Sequence, residues 1–422
     1  MSVFDEFQWR GMFSDATDGA RDALAAGKVT AYIGFDPTAS SLHVGSLLTV
    51  MGLARLQRFG HTPIALVGGG TGMIGDPSGK SQERVLLSTD QVNRNVAGIR
   101  AQLERFLDFS AAPNAARIVN NADWLGAIDI LTFLRDVGKH FSIGYMLQKE
   151  SVSRRLESEE GISYTEFSYL ILQSYDFLHL FDRAGCTMQM GGSDQWGNIT
   201  AGTDLIRKVR GQKAHGLVWP LLKTSSGTKF GKTEAGTVWL DPERTSPFSF
   251  YQFWLNTDDR DVISHLKLFT WLDREAIAAL EETVTARPEA REAQRRLARE
   301  VTAMVHGEGE LAGAERASAV LFGGSLAEAS VDDILMIFEN VPSLMVTHDE
   351  LLTLNMAALV TRSRLATSKG EAARLIKQGG IYVNDRRVSD DRAPVTLEDA
   401  IGGKVIVLRK GPRERRIVKV EN

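Results

Sequence analysis

Short apolar runs that end in turns rich in glycine, proline or aspartate mark the first half of the chain, and stretches of helical period dominate the second. Val29 to Phe35 reads as a strand, which Asp36-Pro37-Thr38 terminates because proline fixes φ and Asp-Pro favours turn initiation. A helix follows, with Ser40 or Ser41 as its cap and His43 in its first turn. Pro63 to Gly68 reads as a second, buried strand running into GGGTGMIGDPSGKS. Residues 1 to about 30 and 85 to 150 are mostly helical in pattern, the latter interrupted by DFSAAPNAARIVNNADW with its short strand. In the helix TEFSYLILQSYDFLHLF, Tyr169, Gln173 and Asp176 recur at i, i+4 and i+7 and share one face among apolar neighbours. Long amphipathic helices fill Ser246 to about Phe322 and end at Gly323-Gly324-Ser325. From Leu351 the pattern changes to two short helices bearing Arg364, Lys369, Arg374 and Lys377, then a Gly379-Gly380 turn into a strand at Ile381-Tyr382-Val383.

Several of these elements carry candidate chemistry. His43 at a helix start lies where backbone N–H groups and the helix dipole favour a phosphate, and Gly45 leaves room for a flat ring against the helix backbone; an ordinary surface histidine fits the same pattern. Gly70, Gly72 and Gly75 satisfy GxGxxG, but Asp76-Pro77 follows where that fingerprint needs a continuing helix. Gly75 to Ser81 falls one residue short of a P-loop, so a glycine-rich turn at the carboxyl end of a parallel strand is the simpler reading. The polar stripe of Tyr169, Gln173 and Asp176 needs partners, either other side chains or a ligand. Gly191-Gly192 permits close backbone approach and places Asp194 to accept from ribose hydroxyls. Lys229 and Lys232 flank Gly231 in a Ser/Thr/Gly-rich loop. Arg207, Lys208 and Arg210 form either a basic patch for a polyanionic partner or a solvated helix end.

Composition narrows the class. The 422 residues suffice for two or three domains, and 43% apolar with 24% charged residues marks a soluble globular chain. The start MSVFDEFQWR is acidic and aromatic, unlike a signal peptide, and Cys186 is the only cysteine, so a cytoplasmic protein with no intrachain disulfide is expected. Residues 351 to 422 hold 15 Lys and Arg against 8 Asp and Glu, a balance of +7 that leaves −11 of the net −4 on the first 350 residues. A basic tail on an acidic body suits a polyanionic partner, or a solvated surface.

His43-Val44-Gly45-Ser46 and Lys229-Phe230-Gly231-Lys232-Thr233 resemble the two signature motifs of class I aminoacyl-tRNA synthetases. YIGFDPTASSLHVG, ALVGGGTGMIGDPSGK, FLRDVGKHFS, TEFSYLILQSYDF, GGSDQWGNIT and KFGKT also stand in the order of the bacterial tyrosyl-tRNA synthetases, over nearly the whole chain. The resemblance implies a Rossmann-like α/β catalytic domain with a parallel sheet over 1–240, a helical anticodon-binding domain over 241–325, a connecting segment over 326–350 and a small α+β S4-like RNA-binding domain over 351–422. It implies tyrosine–tRNA ligation, with ATP as a substrate carrying Mg²⁺, no tightly held cofactor, no protein metal site, and tRNA(Tyr) as partner.

Residue by residue, the resemblance implies that Tyr32, Asp76, Tyr169, Gln173, Asp176, Gln189 and Gln195 hold tyrosine, with Tyr169 and Gln173 on its ammonium and Asp176 on its phenol. Gly34, Asp36, His43, Gly45, Gly192, Asp194 and Lys232 would meet ATP. Thr38, His43, Ser46, Lys80, Arg84, Lys229, Lys232 and Thr233 would act on the phosphates, and Arg207, Lys208, Arg364, Lys369, Arg374 and Lys377 on RNA. A homodimer is implied around Phe133 to Gln148, where the spacing of Leu131, Leu134, Val137 and Phe141 is equally explained by internal packing. The chain departs from the family at Ser46, where a second histidine is usual. A tryptophanyl-tRNA synthetase shares the fold, but Tyr32 and Asp176 suit a phenol, which donates and accepts, better than an indole, which only donates. A catalytically silent RNA-binding relative of the synthetases is the other alternative.

Overall fold

The structure is a computed structural model that describes residues 2–78, 87–110, 113–157, 161–228, 230–233, 236–321, 326, 329–339, 341–411 and 414–421, with Thr233 described by its backbone alone. Lys80, Arg84, Lys229 and the Gly323-Gly324-Ser325 helix end lie outside the described residues. The chain forms two compact units, one of residues 1–245 and 256–305, the other of residues 246–255 and 306–422.

The first unit is built on six strands, β1 (Asp15–Ala16), β2 (Thr30–Phe35), β3 (Thr62–Val67), β4 (Arg117–Asn120), β5 (Cys186–Gly192) and β6 (His215–Trp219), in the order β1-β6-β5-β2-β3-β4. All neighbours are parallel except β1, which runs antiparallel to β6. All six residues of β3 are buried, as expected of a parallel strand covered by helices on both faces. Counted from β2, the five parallel strands take the order 3-2-1-4-5 of a doubly wound sheet, whose topological switch point lies between β2 and β5. Ligands bind at the carboxyl ends of the strands flanking such a point. A hairpin of β7 (Lys232–Thr233) and β8 (Gly236–Thr237) lies apart from this sheet.

Helices Asp259–Phe269 and Arg274–Ala286 belong to this unit rather than to a separate helical domain. The reason is a buried pair of arginines. Arg55 donates to the carbonyls of Leu268, Lys267 and Thr270, and Arg10 to those of Lys267, Thr270 and Leu272, so two guanidiniums satisfy the orphan carbonyls at the end of helix Asp259–Phe269. Nothing in the helical period of 246–322 signals that tie.

The second unit contains β9 (Ser343–Thr347), β10 (Ile381–Val383), β11 (Arg386–Arg387), β12 (Val405–Lys410) and β13 (Glu414–Glu421), in the order β11-β10-β12-β13-β9. Alternation along β12 and β13 feeds two cores: Ile406, Leu408 and Val418 face helices Met356–Arg362 and Lys369–Lys377, while Val405, Val407 and Ile417 pack with Ile334 and Phe338. Residues 326–350, read from sequence as a connecting segment, therefore supply helix Val331–Ile337 and strand β9, which pairs in parallel with β13 from Ser343↔Ile417 to Thr347↔Glu421. An edge strand of five residues with only Val346 buried leaves little trace in a hydropathy pattern.

Candidate active site

Helix Tyr164–Ala184 starts at Ser163, whose side chain accepts from the Glu166 N–H, and stops at Gly185 in the left-handed region. It lays Tyr169 and Asp176, both buried, toward the β2/β5 switch point. There Tyr32 and Gln189 are paired residues on adjacent strands, so their side chains leave the sheet on the same face. Both are 2% exposed or less, and neither the Tyr32 hydroxyl nor Gln189 Oε1 has a hydrogen-bond partner among the described residues. Phe177 packs on the Tyr32 ring at 5.4 Å. Buried polar atoms of this kind are costly unless something pairs with them, which favours a polar guest.

Asp176 accepts from Trp124 Nε1 at 2.7 Å and from Asn121 Nδ2 at 2.9 Å. Burial pushes its carboxyl up to about 7 against the lowering effect of those two hydrogen bonds, with Asp36 adding to the rise. Asn121 also donates to Thr71 Oγ1, and Thr71 donates to Asp36 Oδ1, whose second oxygen accepts from the Tyr169 hydroxyl at 2.9 Å. A continuous polar chain thus runs from Trp124 to Tyr169. Burial, then the nearby Asp36 and Asp76, holds the Tyr169 phenol well above its usual value and so neutral.

A second cluster adjoins it. Gln195 Nε2 donates to Asp76 Oδ2 at 2.6 Å, Gln173 Nε2 donates to Gln195 Oε1 at 3.2 Å, and Asn198 donates to Gln173 Oε1 at 2.9 Å. Asp76 Oδ1 accepts the Ser78 N–H. Asp36 and Asp76, with the acceptor oxygens of Gln173 and Gln195, make an acidic, acceptor-rich corner suited to an ammonium group. All seven expected tyrosine-site residues therefore fall in these two clusters or on the β2/β5 pair. Asn121, Trp124, Thr71 and Asn198 were missed; the first two sit in NNADW, just beyond the carboxyl end of β4, and that position was the available signal.

The strand ends beside them are open. Gly34 is exposed within β2, and a Cβ there would meet nothing nearer than Leu66 Cδ2 at 3.9 Å. Thr38 is exposed, and its N–H donates to the Asp36 carbonyl. Asp194 is exposed in a short turn after β5, its Oδ1 lying so close over Gly192 that a Cβ on that glycine would stand 2.5 Å away.

The helix after β2 spans Val44–Arg58, and His43 itself is its N-cap residue, with φ −122° and ψ 168° and no capping bond from its side chain. This corrects the expected cap at Ser40 or Ser41. The Val44 N–H donates to the Val238 carbonyl and the Leu240 N–H to that of Leu42, which keeps residues 42–44 extended, while the Ser41 hydroxyl is engaged by Leu42 and Gln102. The flat ring against Gly45 is the imidazole of His43: a Cβ on Gly45 would lie 2.7 Å from His43 Cε1. Gly231, at φ +84°, closes on the same place, since a Cβ there would lie 2.8 Å from Val44 Cγ2 and 3.3 Å from the Gly45 nitrogen. The two signature segments are thereby in contact. Phe230 fixes the loop by stacking on Phe269 at 5.4 Å and packing on His265 at 4.8 Å, and Lys232 follows, exposed, in β7. Ser46 is half-buried one turn along from His43, its N–H donating to the His43 carbonyl.

The basic groups differ in setting. Arg207 pairs with Asp204 and Arg210 with Asp182, while Lys208 donates to the His140 carbonyl, so acidic groups offset this exposed helix end. In the second unit Arg364 lies in a turn at φ +63° rather than on a helix, and Lys369 and Arg374 are exposed on helix Lys369–Lys377, with Lys377 3.8 Å from Asp391. Arg386 and Arg387 are both exposed on β11.

The chain belongs to the class I tRNA synthetases (W and Y), whose family model matches residues 24–323. Within that class it belongs with the tyrosine–tRNA ligases: the tyrosine–tRNA ligase SYY-like C-terminal domain matches residues 333–418. The tyrosine–tRNA ligase of Roseiflexus castenholzii is 56% identical over 99% of both chains. That of Geobacillus stearothermophilus is 51% identical over 99% of this chain and all of the relative. Among solved structures, the C-terminally truncated mitochondrial tyrosyl-tRNA synthetase of Aspergillus nidulans matches with a TM-score of 0.70 and 31% identity, covering 76% of this chain and 94% of that one.

Proposed function

We propose that the switch-point pocket binds tyrosine with its phenol at Asp176 and Tyr32 and its ammonium among Tyr169, Gln173, Asp76 and Gln195, with Gln189 beside the ring. The tyrosine carboxylate oxygen attacks the α-phosphorus of ATP, and the bond from that phosphorus to its bridging oxygen breaks, releasing pyrophosphate. A hydroxyl of the terminal adenosine of tRNA(Tyr) then attacks the acyl carbon and AMP leaves. No side-chain nucleophile is required, because positioning and cations that meet developing phosphate charge supply the acceleration. His43, Ser46, Thr38 and Lys232 serve the phosphates, with Lys80, Arg84, Lys229 and Thr233 assigned there by family resemblance. Gly34, Asp36, Gly45, Gly192 and Asp194 serve the nucleoside, and Mg²⁺ enters as part of the ATP substrate.

The observation that carries this reading is the buried Tyr32 hydroxyl, without a partner among the described residues, beside a buried Asp176, a donor and acceptor set that suits a phenol better than an indole. Charging of bacterial tRNA with labelled amino acid tests it: tyrosine should be esterified and tryptophan should not, and charging with tryptophan alone would overturn it.

The same reading extends to partners. Residues 241–325 supply anticodon contacts, and Arg364, Lys369, Arg374 and Lys377 meet RNA phosphates, with Arg207 and Lys208 near the acceptor stem. Ile130, Leu131 (74% exposed), Leu134, Ile143 and Leu147 form an exposed apolar run while Phe133 and Val137 turn inward, which supports a homodimer through this region. No described helix is long and apolar enough to cross a membrane.

A further inference from the structure

Residues 37–42, which join β2 to His43, are gripped by one face of helix Thr89–Leu103. Asn95, Gly98 and Gln102 recur at i, i+3 and i+7 and so share that face. Asn95, 3% exposed, donates from Nδ2 to the Pro37 carbonyl at 2.8 Å. Gln102 Oε1 accepts the Leu42 N–H at 2.8 Å, and its Nε2 donates to Ser41 Oγ at 2.9 Å. Between them Gly98 lies directly under the Ser40 carbonyl, where a Cβ would stand 2.0 Å from that oxygen. On the other side the Leu240 N–H donates to the Leu42 carbonyl, so the loop is held from two directions.

These bonds do not merely fill valences. Leu42 is the last residue before His43, and Thr38 lies within the gripped span. A loop tied at Pro37, Ser41 and Leu42 has its two phosphate-facing residues fixed relative to each other. Such a link matters for rate more than for affinity, because displacement of a catalytic group by about 1 Å can cost on the order of a hundredfold.

We propose that Gln102 and Asn95 are positioning residues for ATP, acting through the backbone of residues 37–42 to place Thr38 and His43 for adenylate formation. This rests on the reading of residues 36–46 as the ATP side of the site. The test compares Gln102→Leu, Gln102→Glu, Asn95→Ala and His43→Ala in the full-length protein by tyrosine-dependent ATP–pyrophosphate exchange, with tyrosine affinity and melting temperature measured alongside. Gln102→Leu and Asn95→Ala should each lower kcat about tenfold or more with tyrosine affinity unchanged. Gln102→Glu keeps an acceptor for the Leu42 N–H and for a reoriented Ser41 hydroxyl, so it should recover most of the rate. If Gln102→Leu lowers only the melting temperature, or Gln102→Glu falls as far as Gln102→Leu, the positioning role is wrong. His43→Ala separates the two claims: its being silent would overturn the ATP reading itself, whereas a large loss there with Gln102→Leu intact would overturn the positioning role alone.

Discussion

Removing the Tyr32 hydroxyl should move stability and specificity in opposite directions. The residue is 1% exposed, its hydroxyl has no partner among the described residues, and Phe177 packs its ring at 5.4 Å. Tyr32→Phe conserves the ring and its packing, so it deletes only a buried polar atom whose desolvation costs about 1–3 kcal/mol. The variant without substrate should therefore be as stable as the parent or more so, by up to roughly that amount. With tyrosine bound, the same hydroxyl gains a partner worth about 0.5–1.5 kcal/mol, so its loss should lower kcat/KM for tyrosine roughly two- to twelvefold while leaving phenylalanine nearly unaffected. Urea denaturation with and without tyrosine, together with exchange kinetics on both amino acids, reads the two effects. Destabilisation of the unliganded variant by more than about 1 kcal/mol, or an unaltered ratio of tyrosine to phenylalanine, would refute the reasoning.

Asp176 gives a pH test. Its carboxyl is raised from 3.8 to about 7, so between those values the folded chain holds a proton the unfolded chain lacks; its contribution to stability falls as pH rises through that window and is level above it. If the ionised form accepts the phenol, kcat/KM for tyrosine should rise as pH passes about 7, and Asp176→Asn should abolish that rise; a flat profile in the parent would contradict it. At the phosphate side, Ser46→Ala should cost about 0.5–1.5 kcal/mol of transition-state stabilisation, and His43→Ala and Lys232→Ala more, with tyrosine affinity nearly unchanged in all three. Equal, negligible losses on single-turnover analysis would remove these residues from the reaction. A chain ending before Ser330, which removes helix Val331–Ile337 and β9 together with the strands they pack on and pair with, should still form tyrosyl-adenylate but charge tRNA poorly, and the full-length protein's tRNA affinity should fall as salt rises; normal charging by the shortened chain would exclude a tRNA role for the C-terminal sheet.

Much of the first unit was legible because its signals are local. β2 and β3 are apolar runs closed by Asp-Pro and glycine turns, and the polar stripe at 169, 173 and 176 stands out against its apolar helix. What could not be read depends on contacts across long sequence separations. Asn121 and Trp124 reach Asp176 more than fifty residues away, Arg55 caps a helix more than two hundred residues on, and the start of the Val44 helix is set by Val238 and Leu240. Local capping rules favoured Ser40 or Ser41, and a tertiary backbone pairing displaced the helix start to His43. Strand β9 escaped for a related reason: its partner β13 lies at the far end of the chain, and only one of its five side chains is buried.

Exchange of labelled pyrophosphate into ATP by the purified full-length protein, stimulated in turn by tyrosine, phenylalanine and tryptophan, bears on the phenol-reading pocket and the paired signature segments together. Exchange should depend on tyrosine, with the other two amino acids far weaker at equal concentration. Absence of tyrosine-stimulated exchange, or exchange driven as strongly by tryptophan, would mean that Tyr32, Asp176 and the Gly45–Gly231 contact do not form the site described.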